Sequence, residues 1–135
     1  MSTPFRFLAI SAAIIVPSLL TLRAQDAAKP QAVRTILERH DQSGVPGKEI
    51  VIGKAELPQG SSVPYHTHPG DEAGYVLRGT LVLKTRGQPD RILNVGDSFF
   101  NPRGAIHSLT AVSADGAAAS TWIIDKGMPL ATPVP

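Results

Sequence analysis

Three side chains within residues 60–79 share the donor chemistry of a metal site: His66, His68 and Glu72. Imidazole nitrogens and a carboxylate suit a borderline divalent cation. His66 and His68 stand two residues apart, and an extended chain turns alternate side chains to opposite faces, so both rings point the same way. Pro64 and Pro69 bracket the pair and argue against a helix there. Glu72 follows Pro69-Gly70-Asp71 and falls on the even-numbered positions of the next extended run, whereas Asp71 has the opposite parity. A fourth donor, His107, lies on a later run that begins after the turn Pro102-Arg103-Gly104. A lone His on a strand is read as a packed or surface residue with a satisfied hydrogen bond, and His40, which fits no spacing, is taken that way. The joint spacing of the other three His and Glu72 points to one bound metal.

The elements that must hold these donors are short strands. No stretch after residue 40 keeps a 3.6-residue period. Runs of β-branched, aromatic and aliphatic residues at 49–57, 64–68, 72–78, 81–84, 91–95, 98–101, 105–112 and 120–125 alternate with turns rich in Gly and Pro. Residues 33–40 read as a strand or a single turn, and 113–118 as a small-residue loop. Together these runs predict an all-β sandwich or barrel.

At this point the chain resembles the cupin superfamily. The first motif of that family is Gly, five residues, His-x-His, three or four residues, Glu, six residues, Gly; Gly60, His66, His68, Glu72 and Gly79 occupy every position. The second is Gly, five residues, Pro-x-Gly, two residues, His, three residues, Asn; Gly96, Pro102, Gly104 and His107 match, and Ala111 stands where the family has Asn. The resemblance implies a double-stranded β-helix, or jelly-roll barrel, with the metal in one mouth held by His66, His68, Glu72 and His107. Ala111 shares the parity of His107, so it is expected to face the interior and to make the pocket wall less polar. Three His and one carboxylate, with no sulfur, suit Fe(II), Mn(II), Ni(II), Zn(II) or Cu(II).

The likeness extends to single-domain, quercetin-dioxygenase-like cupins. It implies a metal-dependent, dioxygenase-like enzyme on a small organic molecule, with Glu72 as a ligand that can dissociate and act as catalytic base. Two alternatives stay open: non-redox isomerase, epimerase or lyase chemistry, and a non-catalytic module that binds a small molecule or a metal. Tyr75, Phe99, Phe100, Trp122 and Met128 are candidates to line the cavity, with plain packing as their other reading.

Composition bounds the rest. Residues 1–24 hold one early basic residue, Arg6, an apolar run of 16 residues (7–22) and a small residue, Ala24, before Gln25. That is the layout of a cleaved secretory signal; its alternative is an uncleaved anchor. The run is shorter than the roughly 20 residues of a membrane span, so no stable span is expected after processing. The expected location is periplasmic or secreted. Without Arg6 and Arg23 the chain keeps 11 of its 13 basic residues against 11 acidic ones, which leaves no electrostatic footprint for nucleic acid. There is no Cys, so stability has to come from a core, a metal or self-association. The reading divides the chain into a signal (1–24), an N-terminal segment with a first strand (25–48), a barrel (49–126) and a Pro-rich tail (127–135). The runs Ile50-Val51-Ile52 and Leu81-Val82-Leu83 are apolar at every position, which predicts cover on both faces and hence a homodimer.

Overall fold

A computed structural model describes residues 30–135, and the stretch read as an export signal lies outside the described residues. Ten strands make up the fold: β1 (Val33–Asp41), β2 (Lys48–Leu57), β3 (Ser62–Thr67), β4 (Gly70–Arg78), β5 (Leu81–Thr85), β6 (Arg91–Leu93), β7 (Ser98–Asn101), β8 (His107–Ala111), β9 (Gly116–Asp125) and β10 (Thr132–Pro133). They form two five-stranded sheets, ordered β1-β2-β9-β4-β7 and β10-β3-β8-β5-β6. Every pairing is antiparallel. This is the double-stranded β-helix expected from the sequence. Among the described residues no helix is long and apolar enough to cross a membrane.

Alternation along each strand decides what the sheets enclose. On β4, Gly70, Glu72, Gly74 and Val76 are buried, while Asp71, Ala73, Tyr75 and Leu77 face out. Leu57, Val76, Leu81, Leu83, Leu93 and Phe99 meet between the sheets as the main core. Val51, Trp122 and Ile124 form a second cluster, with Leu130 packed against it. Glycines at the tight turns take the left-handed backbone that a side chain disfavours: φ is +76° at Gly60, +73° at Gly79, +94° at Gly96 and +74° at Gly104.

Three sequence expectations need correction. The small-residue loop at 113–118 is shorter, because β9 begins at Gly116. Ala has little strand propensity, but β9 lies between β2 and β4, and burial of Ala117 and Ala118 overrides that preference. Ala111 does face inward and is fully buried, but it packs in the main core and does not line the cavity beside the His residues. Four residues of strand carry it about 13 Å from His107. Tyr75, Phe100 and Met128 are exposed; of the aromatic candidates only Phe99 and Trp122 reach the cavity wall. The run 33–40 resolves as strand, and residues 132–133 pair with β3 as β10.

The pairing registers bring the donors together. His66 on β3 lies directly opposite His107 on β8. Glu72 on β4 lies between Asn101 on β7 and Trp122 on β9. His68 sits just past the end of β3, where the chain crosses from one sheet to the other. The second sheet thus supplies two His and the first sheet the carboxylate.

Close packing of β4 on β7 keeps that arrangement tight. A Cβ at Gly74 would meet the Phe99 ring at 2.0 Å. Gly74→Ala is expected to cost about 1–3 kcal/mol, the usual range for overpacking. Thermal unfolding monitored by circular dichroism would show a lowered midpoint; an unchanged midpoint would mean that Phe99 moves freely and that β7 is not locked to β4.

Candidate metal centre

Three imidazoles converge in the interior. The ligand atoms offered by His66, His68 and His107 lie within 4.8 Å of one another, and all three side chains are buried. The Nε2 atoms of His66 and His68 are 3.2 Å apart. The Nδ1 atoms point the other way and meet backbone carbonyls: His66 meets Pro64 at 2.7 Å, His68 meets Leu130 at 2.6 Å and His107 meets Ala105 at 2.9 Å. A carbonyl only accepts, so each Nδ1 carries the proton and each neutral ring presents a lone pair at Nε2. The Trp122 indole N–H donates to His68 Nε2 at 3.1 Å, consistent with a lone pair there.

Glu72 adds a fourth acceptor. Its Oε2 is 3.1 Å from His107 Nε2 and 3.4 Å from His68 Nε2. Burial pushes this carboxyl upward. Hydrogen bonds from the His107 and His68 rings, in the form that carries a proton on Nε2, and from the amide of Asn101 more than offset that and hold it well below the usual carboxylate range. The Asn101 Nδ2 donates to Oε2 at 2.8 Å, and both groups are buried. Asp71, the neighbouring carboxylate, faces outward and accepts from the Arg103 backbone N–H. His40 is exposed beside Glu38.

These groups pass the test for a cation. His107 Nε2 is buried and has no hydrogen-bond partner. Three lone pairs and a carboxylate in one dry space repel each other unless something positive lies between them. Nitrogens bound about 2.1 Å from one metal sit about 3–4 Å apart, so the three rings could hold one after a small inward shift. Each ring is already oriented by a carbonyl behind it, the arrangement that fixes the tautomer of metal-binding His.

Two contributors were not singled out by spacing. Asn101 has the parity of Phe99 on β7, and that parity was its only signal. Arg34 comes from β1, where its guanidinium carbon lies 5.6 Å from the centre of the Trp122 ring, and Nη2 is 3.5 Å from His66 Nε2. Burial lowers its pKa, and the charge of Glu72 partly restores it. The interior cavity beside Glu72, His107 and Phe99 is narrow, about 20 Å³, room for one water. An open cleft of about 300 Å³ adjoins it at the mouth, bordered by β1, β3 and the C-terminal stretch. Arg34, Val63 and His66 line both spaces.

Comparison with known proteins bears on the fold that carries this geometry. The profile of the cupin domain family matches residues 53–124, more than half of the chain. A dimethylsulfoniopropionate lyase from Ruegeria pomeroyi is 32% identical over 66 residues, 49% of this chain and 33% of that protein. A germin-like protein of Arabidopsis thaliana is 31% identical over 70 residues, 48% of this chain and 33% of that protein. The chain thus spans about a third of the length of these curated relatives. Among solved structures, the Ruegeria pomeroyi lyase superposes with a TM-score of 0.64 at 24% identity, covering 76% of this chain and 51% of that one. A cupin-like protein from Thermotoga maritima superposes with a TM-score of 0.61 at 23% identity, covering 76% of this chain and 75% of that one.

The site also predicts a pH dependence. Burial lowers His66 from 6.5 to about 4; the Pro64 carbonyl opposes this, and the His107, His68 and Arg34 charges add to it. Between these values the unfolded chain takes up a proton that the folded protein refuses, so acid favours unfolding. Glu72 acts in the same direction: its contribution is intact above its ordinary 4.5 and fades as pH drops toward its lower folded value. The unfolding midpoint of metal-free protein should therefore fall steadily as pH decreases from 6.5 to 4. A flat or rising midpoint across that range would contradict the neutral, buried state of His66.

Proposed function

Because this chain belongs to the cupin domain family, we propose that it is a metal-dependent enzyme on a small organic molecule, with His66, His68, His107 and Glu72 as the metal's protein ligands. The observation that carries this reading is the convergence of three Nε2 lone pairs and one ionised carboxylate beside an open cleft. A divalent transition metal bound there supplies a Lewis acid for a substrate oxygen and, with Fe, Mn, Ni or Cu, a redox centre.

The chain's own residues define the rest of the chemistry. The carbonyls of Pro64, Leu130 and Ala105 hold the three rings in place. Glu72, held far below its ordinary pKa, is a strong ligand and a weak base. Displaced from the rings, it keeps the burial that raises its pKa and loses the two His partners that lower it, while Asn101 stays. It then becomes a competent base for a substrate proton. Asn101 tethers Oε2 throughout and leaves Oε1 to turn toward the substrate.

Oxygen-independent elimination or isomerisation is the favoured form, supported by the likeness to a lyase. A dioxygenase-like form is the second reading, supported by a nitrogen and oxygen donor set that would suit a redox-active metal. Elemental analysis of purified protein should show about one transition metal per chain, lost in the His68→Ala, His107→Ala double variant. Substrates of both forms would then be offered with and without O₂. Anaerobic turnover supports elimination or isomerisation, and O₂ uptake supports the second form. Metal retention by the double variant refutes the ligand assignment, and a ligand recovered unchanged under all conditions refutes catalysis.

The same reading places the protein in the cell envelope as a homodimer. Residues 1–24 have the pattern of an export signal. The outer face of the β1-containing sheet carries a row, Phe100–Ala73–Thr121–Ile52, across four strands, with Tyr75 and Ile123 exposed beside it. A second copy would cover this face. Native mass spectrometry of protein from the envelope fraction should give twice the mass of a chain beginning at Gln25. A monomer, or a chain that keeps residues 1–24, would overturn the corresponding half of the proposal.

A further inference from the structure

The fold brings a cation to the metal centre and, among the described residues, sets no carboxylate within ion-pair distance of it, although the charge of Glu72 acts on it from farther away. β1 is an edge strand whose outward residues are exposed, yet it turns Arg34 inward opposite Ala55. Arg39, on the same strand, reaches the buried Glu49 at 2.6 Å, and Arg103 reaches Asp125 at 2.7 Å. Among the described residues Arg34 forms no ion pair. Its polar contact is the 3.5 Å approach to His66 Nε2, too long for a strong hydrogen bond and aimed at an atom that would serve the metal. A guanidinium has five N–H donors in a planar fork shaped for a carboxylate, and here most of them are free in a half-buried place.

The charge balance points the same way. A divalent ion on the three His, together with Arg34, brings three positive charges, and Glu72 cancels one. Two remain in a space partly closed to water. An anion that bridges Arg34 and the centre removes that excess and satisfies the free donors at once. The available space agrees: the interior holds about 20 Å³, so a substrate must lie in the mouth cleft of about 300 Å³, and Arg34 and His66 stand where the two meet. The remaining wall is mostly apolar, from Ala32, Val63, Pro64, Tyr65, Ala131 and Pro133.

The geometry points to Arg34 as the residue that receives a carboxylate of the substrate, which makes the substrate class a small organic acid with a compact apolar body. The inference rests on the metal-dependent reading above and adds a specificity-determining residue to it. Arg34 docks the carboxylate by a two-pronged hydrogen bond and places the rest of the molecule against the centre. The ring of Trp122 supports the guanidinium from below and limits its motion.

The test is a binding comparison that needs no knowledge of the true substrate. Propionate and its neutral analogue propionamide would be titrated calorimetrically into the processed protein, metal-loaded and metal-free. Wild type is expected to prefer propionate by about ten- to a hundredfold, the range for a charged hydrogen-bonded pair. Arg34→Gln should bring the ratio to about one with metal content unchanged, and Arg34→Lys should keep part of the preference. Arg86→Gln is the control for general charge. Arg86 lies over the Tyr65 ring, 5.5 Å from its centre, and donates to the Pro135 carbonyl, and its loss should leave the ratio intact. An Arg34→Gln protein that still prefers propionate, or a wild type that does not, overturns the inference. Elemental analysis of the same samples judges the metal reading separately. If wild type holds no metal, that reading fails, and the propionate ratio still decides the role of Arg34.

Discussion

The structure is organised around a repulsion that the fold maintains. Three Nε2 lone pairs and a carboxylate oxygen face one another in a space with almost no room for water. In water such acceptors would separate or take up protons. Here the backbone opposes separation, because each ring is tied from behind to a carbonyl. Burial lowers the pKa of His66, so that ring resists a proton, while hydrogen bonds to Glu72, that of the Asn101 amide among them, keep the carboxylate charged. The buried His107 Nε2 has no hydrogen-bond partner, and a cation between these groups would satisfy it and relieve the repulsion.

Holding these acceptors together requires both sheets and both ends of the described chain. His66 and His107 face each other across β3 and β8, while Glu72, Asn101 and Trp122 form a row across β4, β7 and β9. The sheets must approach closely for the two sets to meet, and small residues at Gly74 and Gly70 permit that. A Cβ at Gly70 would meet the Ile123 carbonyl oxygen at 1.9 Å. The profile of the family ends at residue 124, yet the carbonyl that orients His68 belongs to Leu130, and the unpaired cation belongs to Arg34. The terminal segments therefore belong to the site as much as the motif strands do.

The legibility of each part in the sequence follows from what determines it. The convergence of His66, His68, Glu72 and His107 was readable because donor chemistry restricts residue types and strand parity restricts spacing. Turn glycines were readable because a positive φ restricts the residue. The role of Ala111 was misjudged because parity reports the face of a strand but not the distance along it. The start of β9 was missed because Ala carries almost no local preference for a strand, and only its neighbours β2 and β4 decide the matter. The Leu130 carbonyl has no side-chain signature at all, so no reading of residue types finds it. Asn101 and Arg34 lay within reach of parity, but their meaning depends on partners brought from distant strands.

The contrast between Asn101 and Arg34 separates structure from specificity in this site. Asn101 is 1% exposed and its amide is engaged by Glu72, so its place is fixed by what the fold already contains. Arg34 is half-buried on an edge strand and its donors have no comparable acceptor. Desolvating a guanidinium without a partner is unfavourable, and nothing in the packing of β1 requires an arginine at that position: a Met or Leu would cover Trp122 as well. A cation kept at such a position, beside a centre that would itself carry positive charge with a metal bound, makes physical sense if its partner arrives from outside. With a metal bound, the centre would supply reactivity that many molecules could use, and on the reading proposed above the unpaired guanidinium at its mouth would select which of them is held there.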